Sequence, residues 1–152
     1  MIPTIRVQAQ DFDAAQEAAR LTQGRADIGA VVTFTGLCRD EGGRLAALEL
    51  EHYPGMAEEE ISRVAAQAVE RWPLQGVTVI HRFGKIAPGA QIVLVVTASS
   101  HRVAAFEAAT FLMDYLKTRA PFWKKEHRKD GTSGDWVAAT EADDAAAGRW
   151  DA

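Results

Sequence analysis

Residues 56–72 carry a pattern that only a helix can use. Ile61, Val64, Ala65, Ala68, Val69 and Trp72 fall at i, i+3, i+4, i+7, i+8 and i+11, one apolar stripe along a helix of 3.6 residues per turn. Glu58, Glu59 and Glu60 occupy its first turns, where negative charge meets the positive end of the helix dipole, and Pro73 stops it. A helix with one apolar face must lie on something, and the flanking sequence supplies strands. Thr4–Gln8 alternates as a strand. Residues 13–22 form a short Ala-rich helix that ends near Gly24. Residues 29–36 (GAVVTFTG) are rich in β-branched and aromatic side chains and read as a buried strand. Residues 44–53 alternate Leu48, Leu50 and His52 with Glu49, Glu51 and Tyr53, the mark of a half-buried strand. Asp40-Glu41-Gly42-Gly43 between them reads as a hairpin-like turn.

The second half repeats the theme. Strands over 76–83 and 91–98 are joined across Pro88-Gly89. Ser99 or Ser100 caps a second long helix that runs to about Arg119, with Val103, Phe106, Ala109, Met113 and Leu116 as its core stripe and Pro121 at its end. Residues 122–127 are extended, 129–134 turn, 135–139 form a last short strand and 141–150 a terminal helix. Antiparallel strands with packed helices give an α+β fold, and the absence of a linker or repeat gives a single domain over residues 1–152.

Charge narrows the function. The net charge of −4 disfavours a general nucleic-acid binder, which needs a basic surface, and no RNP-like motif is present. Residues 99–129 nevertheless carry seven Lys/Arg against three Asp/Glu, while the rest carries ten against eighteen. A basic segment on an acidic protein suggests a confined anion site; a solvated basic face is the plainer alternative. The start of the sequence lacks a signal peptide's apolar stretch, no run is long enough to span a membrane, and the single cysteine precludes an internal disulfide. A reducing cytoplasm is the expected location.

Conventional catalytic motifs are absent. The sequence has no G-x-G-x-x-G, no phosphate-binding G-x-x-x-x-G-K-[ST], no G-x-S-x-G, no H-x-x-x-H and no C-x-x-C. His52, His81, His101 and His127 stand singly and read as packing or surface residues rather than metal ligands. Cys38 lies beside Arg39, which could lower a thiol pKa, but a lone cysteine is more often a small buried hydrophobe.

The informative stretch is residues 114–129, DYLKTRAPFWKKEHRK. Lys117 is four residues after Met113 and one after Leu116, so its ammonium either snorkels out or serves a purpose. In the extended segment Phe122, Lys124 and Glu126 face one way, and Trp123, Lys125 and His127 the other. Lys124 can therefore fold back toward the helix end that carries Lys117. Two lysines converging on a partly apolar pocket make an anion site, and one of them gains a lowered pKa suited to proton transfer.

The runs VVTFTG (31–36), LEHYPGM (50–56), RWPL (71–74), VTVIHR (77–82) and FLMDYLKTRAPFWKKE (111–126) resemble the large subunit family of molybdopterin synthase, the MoaE family, from about Gly29 to Trp136. That resemblance implies an α/β hammerhead fold. It also implies a heterotetramer, in which a central homodimer of large subunits binds a small ubiquitin-like subunit at each end. The implied reaction transfers sulfur from the thiocarboxylated Gly-Gly tail of the small subunit to cyclic pyranopterin monophosphate, forming the dithiolene of molybdopterin. No metal and no cofactor are implied for this subunit. The family's two lysines fall on Lys117 and Lys124, and its substrate-binding positions on Leu37, Cys38, Arg39, His101, Arg102, Lys125 and Glu126, with Lys124 shared between the two sets.

One consequence follows from helix length. Sixteen residues at 1.5 Å each place His101 roughly 24 Å from Lys117. A single small-molecule site reaches both only if His101 and Arg102 of one subunit complete the Lys117 pocket of the other. The chain departs from the family pattern at Cys38, where an apolar residue is usual, in a slightly longer turn over 128–135, and at Thr140, where relatives can carry an arginine. The rival reading is a non-catalytic adaptor for a ubiquitin-like protein; only the enzyme needs Lys117, Lys124 and Arg39 together.

Overall fold

The computed structural model describes residues 1–118 and 121–137, together with Gly148 and Trp150. The elements run β1 (Thr4–Gln8), α1 (Ala14–Thr22), β2 (Ala30–Leu37), β3 (Leu45–His52), α2 (Met56–Arg71), β4 (Leu74–Arg82), β5 (Gly84–Ile86), β6 (Gln91–Ser99), α3 (Arg102–Thr118) and β7 (Phe122–Arg128). They build an α+β fold on two sheets. The larger has the order β1-β4-β6-β2, with β1 parallel to β4 and the other pairs antiparallel. The smaller has the order β5-β3-β7 and is antiparallel. Gly84, at φ 90°, lets the chain swing from β4 in one sheet to β5 in the other, a conformation that costs a residue with Cβ far more.

Alternation sorts the central strands into two cores. Val77, Val79, Val93 and Val95 face α2 and α3, where Ile61, Val64, Ala65, Ala68, Ala108 and Leu112 cover them. Ile80, Leu94 and Val96 point to the opposite face, under Phe12, Ala14, Ala18 and Leu21 around α1. Strands covered on both faces read as continuous apolar runs, which is what 92–96 shows, with 77–80 broken only by the buried Thr78. A small third core of Cys38, Leu45, Leu50 and Ile86 lies under the smaller sheet. Helix α2 starts where the Gly55 N–H donates to the Glu58 carboxylate at 2.8 Å. No helix among the described residues is long and apolar enough to cross a membrane.

Four expectations need correction. Strand β2 is an edge strand that leaves Val31, Phe34 and Leu37 exposed, because β-branched composition reports fit to a pleated surface and not coverage. The turn around Asp40–Gly43 closes no hairpin, since β2 and β3 belong to different sheets. The buried stripe of α3 is Ala104, Ala105, Ala108, Phe111, Leu112 and Tyr115 with Ala109 and Leu116, while Val103 and Phe106 are each 60% exposed. Alanines win the sheet face because they let the helix approach closely enough for the Thr97 hydroxyl to donate to the Ala105 carbonyl at 2.7 Å. Of the expected last strand, the described residues 135–137 form only an isolated bridge between Val137 and Lys124. The segment 138–139, Thr140 and most of the expected terminal helix lie outside the described residues, as does Arg119.

Candidate active site

Helix α3 carries Lys117 in its last turn, where the carbonyl end of the helix favours a cation. Strand β7 brings Lys124 to the same place by pairing it with Leu50 of β3. Both lysines line one cavity of about 170 Å³ at the junction of the two sheets. Its apolar wall comes from Phe34 and Leu37 of β2, Leu48 and Leu50 of β3, Met113 and Leu116 of α3, and Phe122 of β7. Among the described residues, no aspartate or glutamate lines it. Neither lysine makes a hydrogen bond or ion pair among the described residues. An unpaired ammonium beside apolar surface in reduced dielectric is a strong attractor for an anion, and two of them suit a ligand with more than one negative charge.

The alternation read from 122–127 holds only in part, since Trp123 also lines the cavity and Glu126 does not. Phe122 and Lys124 turn to the cavity, whereas the Lys125 ammonium lies 5.5 Å from the centre of the Trp136 ring, and the His127 Nε2 lies 2.8 Å from the Glu49 carboxylate. The Glu126 backbone carbonyl accepts from the Gly134 N–H at 2.9 Å. Leu37 lines the cavity mouth and is 55% exposed. Cys38 turns away: it is 3% exposed, its thiol faces the Arg39 and Ile86 carbonyls, and burial pushes its pKa up. An inert core thiol results. The Arg39 side chain is 86% exposed, 3.8 Å from Glu41 and outside the cavity wall. His101 and Arg102 are exposed at the opposite end of α3. Within one chain the structure thus unites Lys117, Lys124 and Leu37, and leaves Arg39, His101, Arg102, Lys125 and Glu126 apart from them.

Sequence reasoning missed His81. It extends the Val77–Val79 face of β4 into the cavity, 7% exposed, with Phe122 stacked on its ring at 3.8 Å. A histidine continuing the inward face of an otherwise apolar strand was the available signal.

The sequence model of the MoaE protein family matches residues 7–119. The molybdopterin synthase catalytic subunit of Mesorhizobium japonicum is 74% identical over 150 residues, covering 99% of this chain and 94% of that protein. The chain belongs to the MoaE family. Solved MoaE structures agree in shape. The molybdopterin biosynthesis MoaE protein of Burkholderia ambifaria superposes with a TM-score of 0.85 at 49% identity, covering 99% of both chains. The molybdopterin synthase of Staphylococcus aureus gives 0.78 at 29% identity, over 88% of this chain and 96% of that one. As a MoaE member the chain has an enzyme role in molybdopterin biosynthesis.

Proposed function

We propose that this chain is the catalytic subunit of a molybdopterin synthase, which transfers sulfur from the thiocarboxylated C-terminus of a small ubiquitin-like subunit to cyclic pyranopterin monophosphate. One observation carries the reading: among the described residues, Lys117 and Lys124 share a cavity lined by no carboxylate, and neither makes a hydrogen bond or ion pair. The substrate's phosphate and the thiocarboxylate are both anions, and their meeting in an apolar pocket is prohibitively repulsive without cations. Lys117 stabilises charge on the acyl–thio adduct formed when the donor sulfur displaces an oxygen from a side-chain carbon of the pterin. That oxygen stays on the opened phosphate ester for one sulfur and leaves as water for the other. Water then releases the tail as a carboxylate, breaking the acyl–sulfur bond and leaving sulfur on the pterin; a second tail repeats the step. Lys124 moves a proton as the cyclic phosphate ester opens.

Phosphate contacts come from Arg39 and, across a homodimer, from His101 and Arg102 of the second subunit. The supporting surface is a bare apolar face. Val31, Phe34 and Leu37 on β2 are exposed along an edge strand, and Val103 and Phe106 are exposed on the first turns of α3. The pairing of Ala30 with Ser99 brings the start of β2 close to the start of α3. Exposed strand edges and large apolar side chains are what a subunit interface covers. A single buried thiol fits a reducing cytoplasm. The test is incubation with the cyclic pterin phosphate and a thiocarboxylated small subunit. Dithiolene pterin should form, and should not form with Lys117→Ala; binding of the small subunit without product would leave only an adaptor.

A further inference from the structure

His81 is the only titratable side chain other than the two lysines on the cavity wall, among the described residues. Its Nδ1 lies 2.9 Å from the Arg82 carbonyl oxygen. A carbonyl can only accept, so Nδ1 carries the proton. A second proton, on Nε2, would put a cation into a nearly closed wall that already faces Lys117 from α3, Lys124 from β7 and His52 from β3. Burial first, with the Lys117 charge adding to it and the bond to the Arg82 carbonyl opposing it, pushes the imidazole pKa down to about 4. Nε2 therefore keeps its lone pair at neutral pH. Phe122 stacks on the ring with planes 14° apart, and the Nδ1–H bond to the Arg82 carbonyl holds its orientation. Nε2 makes no hydrogen bond among the described residues.

The other polar side chains of the cavity are spent or opposite in kind. The lysines and the Trp123 indole only donate. The Thr118 hydroxyl, whose proton goes to the Asp114 carbonyl at 2.9 Å, keeps acceptor lone pairs but is tied to the helix backbone, which leaves His81 as the one ring acceptor on the wall among the described residues. We propose that His81 determines substrate specificity: its Nε2 accepts a hydrogen bond from an N–H or O–H of the pterin while the lysines hold the anionic groups. This rests on the function proposed above. The fixed acceptor would reject a pterin-sized anion that lacks a donor there, because Nε2 would then be desolvated without a partner.

The experiment uses the full chain with 15N-labelled histidine. In the free protein His81 should show a protonated Nδ1 and a bare Nε2 down to about pH 5. Saturation with cyclic pyranopterin monophosphate should move the Nε2 signal, and inorganic phosphate or the unactivated small subunit alone should not. His81→Phe, which keeps the stacking, should weaken pterin phosphate binding about tenfold without changing phosphate binding. His81→Gln, whose amide oxygen can stand near the Nε2 position, should recover part of it. A proton on Nε2 in the free protein, a silent Nε2 at pterin saturation, a response to the small subunit only, or wild-type affinity in His81→Phe would each overturn the inference alone. If the pterin phosphate does not bind the wild-type chain, the proposed function falls with it.

Discussion

The two ends of α3 belong to one helix and differ in almost every respect. Its first turns expose Val103 and Phe106 beside His101 and Arg102, with large apolar side chains, an imidazole and a guanidinium facing outward. Its last turn sets Lys117 on the wall of a cavity that also holds Lys124 and His81. Between them the helix lies on the larger sheet through alanines and Phe111, Leu112 and Tyr115. The middle is explained by folding alone. Neither end is: among the described residues, one presents apolar area with nothing over it, and the other presents charge with nothing opposite it. Both are explained if the ends belong to one site built from two chains, with the anionic substrate between them.

Removing the charge at the cavity end should have the largest effect. Lys117→Ala should lower dithiolene formation by about 10²- to 10³-fold, the usual cost of losing one group that stabilises developing charge, with the melting temperature nearly unchanged. Lys117→Arg should fail substantially too, since a planar guanidinium is larger and keeps its proton. Near-normal turnover in either purified variant would show that the cavity lysine is not catalytic. At the other end, Phe106→Asp should convert the dimer to monomer and reduce activity by at least tenfold, read by sedimentation and by product assay. A variant that stays dimeric and active would place the interface elsewhere.

Two smaller effects separate packing from chemistry near the cavity. The unfolded chain's imidazole takes up a proton below 6.5, while the folded His81 does so only near 4. The stability held above pH 6.5 is therefore lost as pH falls toward 4, by up to about 3 kcal/mol. His81→Phe should flatten that part of the stability–pH curve, and an unchanged slope in urea titrations would show that this histidine is not the origin. Cys38→Ser should keep activity within about twofold and cost about 1–2 kcal/mol of stability for a buried hydroxyl among Leu45, Leu50 and Ile86. A persulfide on Cys38, found by mass spectrometry, would contradict its reading as core.

The elements were legible wherever one face alone is covered. The Met56–Arg71 helix and the Leu45–His52 strand declare themselves by period, because each has a clean apolar side. Legibility failed where small residues or a second subunit intervene. In α3, large Val103 and Phe106 outweigh alanines in any stripe drawn by hydrophobicity, although the alanines are what the sheet selects. In β2, an apolar edge strand and a buried central strand have the same composition, and only the pairing order separates them. The convergence of Lys117 and Lys124 followed from helix phase and strand alternation. His81 did not, because its meaning depends on Phe122 and Lys117, which are far from it in sequence.

Whether the two ends of α3 meet across a dimer is tested most directly by mixing two dead chains. Lys117→Ala and Arg102→Ala homodimers should each be nearly inactive, because every pocket in them is defective. In the mixed dimer one shared pocket carries both defects and the other carries none. Activity per mixed dimer, verified by mass, should approach half that of the wild-type dimer and rise with small-subunit concentration as tails exchange for the second sulfur. If instead each pocket lies within a single chain, both pockets of the mixed dimer keep one defect. Activity that stays at the level of the parent variants would contradict the shared site.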